Sequence, residues 1–206
     1  MSSDEFVMRR RLLGAGLLAV AGLMARRAPA QRAEPGHAIA PALLRRAREA
    51  QQRHREQIPH RDFMGIADFS LPSRSPRFHV LNLMDGVVTS HLVAHGRGSD
   101  PGHTGWLERF SNQMHSQATS AGAYLTGDLY SGEHGRSLRL VGLDPTNDQA
   151  ASRGIVVHGA WYVSEEIATR IGVLGRSEGC LAFAQSSLGE VLAKLGPGRL
   201  IYADKV

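Results

Sequence analysis

Two side chains in this sequence could together carry out nucleophilic chemistry: Cys180, the one cysteine among 206 residues, and His158. A thiolate is a strong nucleophile, but at neutral pH it needs a base or a positive field to form. Cys180 closes the stretch "GRSEGC", a turn in which Gly175 and Gly179 let backbone amides converge. Amides converging beside a nucleophile hold the oxyanion of a tetrahedral intermediate. Arg176 could supply the field. Glu178, two residues from the sulfur, is either a like charge that raises the thiol's pKa or a partner for Arg176. His158 ends the apolar run "GIVVH" and is followed by Gly159, which lets backbone or substrate approach. An imidazole there could take the thiol proton. The competing readings are a core histidine with a satisfied hydrogen bond and an inert, buried cysteine. A Cys–His pair with amide donors performs acyl transfer, and spacing alone does not name the acyl donor.

The other histidines do not form a recognisable ligand set. There are ten in all, with no H-E-x-x-H and no cysteine pair beside them. His54, His60, His79, His91, His95, His103, His115 and His134 are scattered through loops, strand faces and a helix, and read as solvated or structural; His37 lies in a linker. No metal site and no organic cofactor is expected; a zinc peptidase built from these scattered histidines is the alternative.

One cysteine excludes an intramolecular disulfide framework. The net charge of +5 is unevenly spread. Residues 1–30 carry five arginines and two acids (+3), residues 31–61 seven arginines and three acids (+4), and residues 62–206 twelve basic and fourteen acidic groups (−2). The globular part therefore lacks the footprint of a nucleic-acid binder. Arg9 to Arg11, the apolar run Leu12–Met24 and Ala28-Pro29-Ala30 have the three-part layout of an export signal, which predicts cleavage after Ala30. The alternative is an uncleaved membrane anchor. Export places the domain in the periplasm or cell envelope, with no stable membrane span once the leader is gone.

These two residues need a scaffold. Residues 31–61 read as a linker and a helical extension, "PALLRRAREAQQRHREQI", with Pro41 in its first turn and a thin apolar stripe of Leu43, Leu44, Ala47 and Ala50. From residue 62 to 206 the period shortens to two. "FMGIADFSLP", "RFHVLNLM", "VVTSHLVAHG", "AYLTGDLY", "LRLVGL", "GIVVHGAWYV" and "GRLIYAD" read as strands, and "SSLGEVLAKLG" as a helix. Asp85-Gly86 between apolar runs predicts a tight hairpin with positive φ at both central residues. The fold class is mostly β, a sandwich or barrel with one or two surface helices.

"IVVHGAWYVSEEI" and "LGRSEGC" resemble the YkuD-like cysteine transpeptidases, in particular the murein L,D-transpeptidase branch that pairs "HGA-x-YV" with "GRS-x-GC". "VAHGRGS", "GAYLTGDLYSGEHGRSLRLVGLD" and "N-x-x-A-x-x-R-G-I-V-V-H-G" agree with it, so the resemblance covers roughly residues 62–204. It implies an L,D-transpeptidase-like β-sandwich, with Cys180 as nucleophile and His158 as its base. Ser177, Gly179, Arg176 and Gly159 would shape the oxyanion site or orient substrate. The implied partners are peptidoglycan stem peptides: the thiol releases D-alanine, forms a thioester and passes the acyl group to an amine. An L,D-carboxypeptidase on the same site and a non-catalytic wall-binding domain are the alternatives. The oligomeric state is open. Glu178 stands where the branch often has a bulky aromatic, and Leu181-Ala182-Phe183 follow the cysteine where it usually has a proline soon after.

Overall fold

The computed structural model describes residues 39–206. The expected leader, residues 1–30, and linker residues 31–38 lie outside them. The described chain runs α1 (Pro41–Arg53), β1 (Phe63–Asp68), β2 (Phe78–Asn82), β3 (Val88–His91), β4 (Val93–Ala94), β5 (Gly122–Gly132), β6 (Gly135–Gly142), β7 (Val156–Gly159), α2 (Glu165–Arg170), β8 (Leu181–Phe183), α3 (Gln185–Lys194) and β9 (Leu200–Asp204).

The nine strands form one sheet in the order β3-β2-β1-β9-β5-β6-β7-β8-β4. β3 and β4 sit at opposite ends of that order, yet only Leu92 separates them in the chain. The sheet must therefore curl until its two edges approach each other. Most neighbours are antiparallel, but β1 with β9 and β7 with β8 run parallel. The expected mostly-β class is met by a single curled sheet with three α-helices among the described residues.

Period-two alternation divides each central strand between two apolar layers. Along β9, Ile201 and Ala203 enter the interior with Phe78, Tyr124, Leu138, Val157 and Phe183. Leu200 and Tyr202 face the other way, joining Met64, Ile66 and Ala123 under α1. Inside the curl, Phe78 and Phe183 meet edge-to-face at 4.7 Å, tying β2 to β8. The thin stripe of α1 is enough to dock it, because Leu43, Ala47 and Ala50 are fully buried and recur at helical spacing. α1 is thus a packing helix of this body.

The Asp85-Gly86 hairpin differs in detail from the sequence expectation. β2 and β3 are antiparallel neighbours, but the connection spans residues 83–87. Gly86 takes a positive φ (+76°) and Asp85 does not. Asn82 and Asp85 instead accept hydrogen bonds from the N–H groups of Met84 and Val87 at 3.0 and 2.9 Å. These side-chain turns hold a longer loop than the two-residue form. β8, three residues long, had no detectable signal in the sequence.

Candidate active site

The parallel pairing of β7 with β8 brings Cys180 beside His158. Val157 faces Leu181 and His158 faces Ala182, so Cys180, just before β8, lies level with Val156. Val157 and Leu181 both point into the core. By alternation, His158 and Cys180 both point to the opposite face. Two residues of rise and one strand spacing set their Cα atoms about 8 Å apart, a diagonal that long side chains bridge.

Both side chains border a cavity of about 690 Å3, together with Ser177, Glu178 and Arg176. Its floor is a braced turn. Ser177 Oγ donates to the Cys180 carbonyl at 2.7 Å and accepts from the Gly179 N–H at 3.2 Å. Thr119 Oγ1 donates to the Gly179 carbonyl at 3.1 Å and accepts from the Gly96 N–H at 2.9 Å. Gly179 adopts φ +119° and Gly96 lies flat against it, where a Cβ would come 2.3 Å from the Gln117 carbonyl oxygen. Only glycine suits either position.

Behind this turn lies a buried polar support. The Ser177 N–H donates to the His95 carbonyl at 3.0 Å. Fully buried Arg77 donates to His95 Nδ1 at 2.7 Å and to the Val93 carbonyl through Nε (3.1 Å) and Nη2 (3.0 Å). The other His95 nitrogen therefore carries its proton toward Asp100, 3.5 Å away. Asp100 accepts from the N–H groups of Thr104 and Gly105, both at 2.8 Å. A buried cation with this many acceptors is held rigidly, which fixes the strand leading to Gly96.

The His158 ring has a defined tautomer. Its Nδ1 lies 3.0 Å from the Gly159 carbonyl, which can only accept, so Nδ1 bears the proton and Nε2 keeps its lone pair. Gly159 thus contributes its carbonyl to orient the imidazole. Burial, and then the neighbouring His134, hold the His158 pKa below its usual value, while the Gly159 bond opposes them. Burial pushes the Cys180 thiol up, and Glu178 adds to this. The Val156 backbone N–H and the Arg153 guanidinium pull it back down. At neutral pH the pair rests as neutral thiol and neutral imidazole. No hydrogen bond joins them among the described residues; the thiol instead faces the Gly154 carbonyl at 3.6 Å.

Arg176 lies beside the cavity with its guanidinium turned to the carbonyls of Asp100 and Pro101. Glu178 pairs with Arg97 at 2.7 Å, not with Arg176. Two further residues border the site without having been singled out in the sequence. Arg153 anchors the loop before β5, donating to the Ser111 carbonyl at 2.7 Å, to Ser116 Oγ at 3.1 Å and to the Ala118 carbonyl. His134, grouped above with the scattered histidines, stacks on His158 with ring centroids 4.2 Å apart. Arg153 shares a stretch with His158, "RGIVVH", which was the available signal. For His134 no local signal existed.

A family model described as L,D-transpeptidase catalytic domain matches residues 36–203. No curated protein matches the chain. Among solved structures it is similar to an L,D-transpeptidase from Mycobacterium smegmatis, with 15% identity over 69% of this chain and 58% of that one and a TM-score of 0.43. It is similar to L,D-transpeptidase 3 from Mycobacterium tuberculosis carrying a faropenem-derived adduct (15% identity, 69% and 60%, TM-score 0.44). A third likeness is the helical cell shape determining protein Pgp2 from Campylobacter jejuni (13%, 72% and 48%, TM-score 0.46). The chain spans between 48% and 60% of the length of these three structures.

Proposed function

The chain belongs to the L,D-transpeptidase catalytic domain family, and from that premise we propose that it is a cysteine acyltransferase acting on peptidoglycan stem peptides in the cell envelope. The observation that carries this reading is the arrangement at one cavity: the single cysteine, and on the adjoining parallel strand a histidine whose Nδ1–H is tied to Gly159. That leaves Nε2 free to act as a base.

In the proposed reaction the Cys180 thiol swings from Gly154 toward His158 as a stem tetrapeptide enters. Nε2 takes the thiol proton while sulfur attacks the carbonyl between the L-centre of diaminopimelate and the terminal D-alanine. The oxyanion collects on the Cys180 backbone N–H at the end of the turn, whose shape depends on the Ser177 hydroxyl. His158 then gives its proton to the leaving amine, D-alanine departs and a Cys180 thioester remains. An amine from a second stem attacks the thioester, His158 accepts the amine's proton, and the thiol is restored. Arg176 and Arg153 place positive charge near the cavity, suited to substrate carboxylates.

The test is incubation with a carbapenem followed by intact mass spectrometry and peptide mapping. A stable adduct on Cys180, absent from Cys180→Ala, supports the reading. No adduct, with the protein still binding murein, favours a wall-binding domain instead.

A further inference from the structure

We propose that His134, at the tip of the β5–β6 hairpin, is a positioning residue that holds the His158 ring in its reactive plane by stacking over its solvent-facing side. The proposal rests on the acyl-transfer reading above.

The first observation is the stack itself. The two imidazoles lie 4.2 Å apart between centroids and 24° from parallel. His158 is 3% exposed, whereas His134 is exposed. His134 is therefore a cover on a buried ring. His158 has one other fixed point, the bond from Nδ1 to the Gly159 carbonyl. That bond fixes one point of the ring, and a flat neighbour on its face limits how far the ring plane can tilt.

The second observation is how the hairpin delivers His134. Gly132 pairs with Gly135, so Glu133 and His134 alone make the turn, and Gly135 takes φ +73°. Arg139 lies over the Tyr130 ring at 4.4 Å across the hairpin, stiffening its outer half. A register shift between Thr126 and Leu129 marks a bulge lower down, a feature that adds twist and re-aims a strand end. The chain thus builds a firm, twisted arm whose tip reaches β7.

The chemistry favours a ring at this place. When His158 takes the thiol proton it becomes an imidazolium, and the stack 4.2 Å away keeps the ring in the same plane while the proton moves on. The stack also excludes water from one face of the base, so its proton passes to the leaving amine rather than to solvent. Neither effect needs a proton on His134, so a phenyl ring should serve in its place and a methyl group should not.

The experiment uses His134→Ala and His134→Phe in the full chain, with Cys180→Ala as control. Histidine-selective NMR reads the ring-current shift of the His158 ring protons, and mass spectrometry reads carbapenem acylation. In His134→Ala the ring-current shift should disappear. The maximal acylation rate should fall on the order of 10- to 100-fold, with half-saturating carbapenem little changed, as misplacement of one catalytic group implies. His134→Phe should keep the shift and recover most of the rate. An unaltered rate in His134→Ala, or a rate in His134→Phe as low as in His134→Ala, overturns the proposal. If Cys180→Ala still turns over a stem tetrapeptide, the acyl-transfer reading fails and takes this inference with it; if Cys180→Ala is inert while His134→Ala is fully active, only this inference fails.

Discussion

The Cys180 thiol lies 3.6 Å from the Gly154 carbonyl oxygen and donates to it, not to His158. A thiol parked on a carbonyl keeps its proton, in keeping with the burial that pushes its pKa up. His158, held below the usual imidazole range, is neutral beside it. In the proposed reaction the proton therefore moves at the moment of attack, with no standing thiolate before it.

This state fixes the pH dependence of acylation. The base works only when unprotonated, and its pKa is lowered in the fold. The acid limb of carbapenem acylation should therefore have its midpoint below about 6.5, the ordinary histidine value. Iodoacetamide should label Cys180 slowly at pH 7 and faster as pH rises past the ordinary thiol range. A midpoint above that histidine value, or rapid labelling at pH 6, would point to a preformed thiolate.

Cys180→Ala and His158→Ala should each remove most turnover of a disaccharide-tetrapeptide. The double variant should lose little more than either, because two groups that act as a unit are not additive. Near-normal activity in His158→Ala would mean that another group activates the sulfur.

Glu178 is exposed and paired with Arg97, so its loss should barely move stability. Its charge raises the thiol pKa. Glu178→Gln should leave the melting temperature within a degree or so, as expected of a surface ion pair, and should speed iodoacetamide labelling at pH 8. Slower labelling would contradict the electrostatic account.

Two glycines should respond in opposite directions to alanine. At Gly96 the added Cβ meets backbone, the Gln117 oxygen at 2.3 Å and the Gly179 amide nitrogen at 2.7 Å. Gly96→Ala should destabilise the fold by about 2 kcal/mol or more and abolish acylation. At Gly189, inside α3, a Cβ meets nothing within 4 Å. Gly189→Ala should stabilise by about 0.5–1 kcal/mol with activity intact. Urea unfolding of the two variants checks both signs.

Stability should begin to fall at a higher pH than carboxylate titration explains. Burial and the Arg77 charge push His95 down to about 3, and burial also lowers His91 and His158. The unfolded chain takes up protons near pH 6.5 that the fold refuses. The folded state is thus fully favoured above that value and loses stability as pH falls toward 3. His95 contributes up to about 1.4 kcal/mol per pH unit in that window, and His91 and His158 add to the loss as pH falls below their ordinary value. Melting temperatures should already decline between pH 6.5 and 5; a flat profile down to pH 4.5 would refute this.

Much of the scaffold was legible because its signals are local. Pro41 and the spacing of Leu43, Ala47 and Ala50 mark α1, and alternation along Phe78–Asn82 and Leu200–Asp204 marks strands without reference to any other segment. The "IVVHGAWYV" and "GRSEGC" stretches likewise carry their chemistry in adjacent residues, which is why Cys180 and His158 stand out by type and context. Tertiary structure alone decided the rest. β8 exists because β7 and β4 flank it, and three residues have no period of their own. Glu178 finds Arg97 rather than Arg176 because the Gly96–Ser177 bridge lays a distant loop beside the turn. His134 meets His158 because a bulged hairpin carries it over β7. Short-range pattern determines which face of a strand a side chain takes; which distant side chain it then meets depends on pairing and twist summed across the whole sheet.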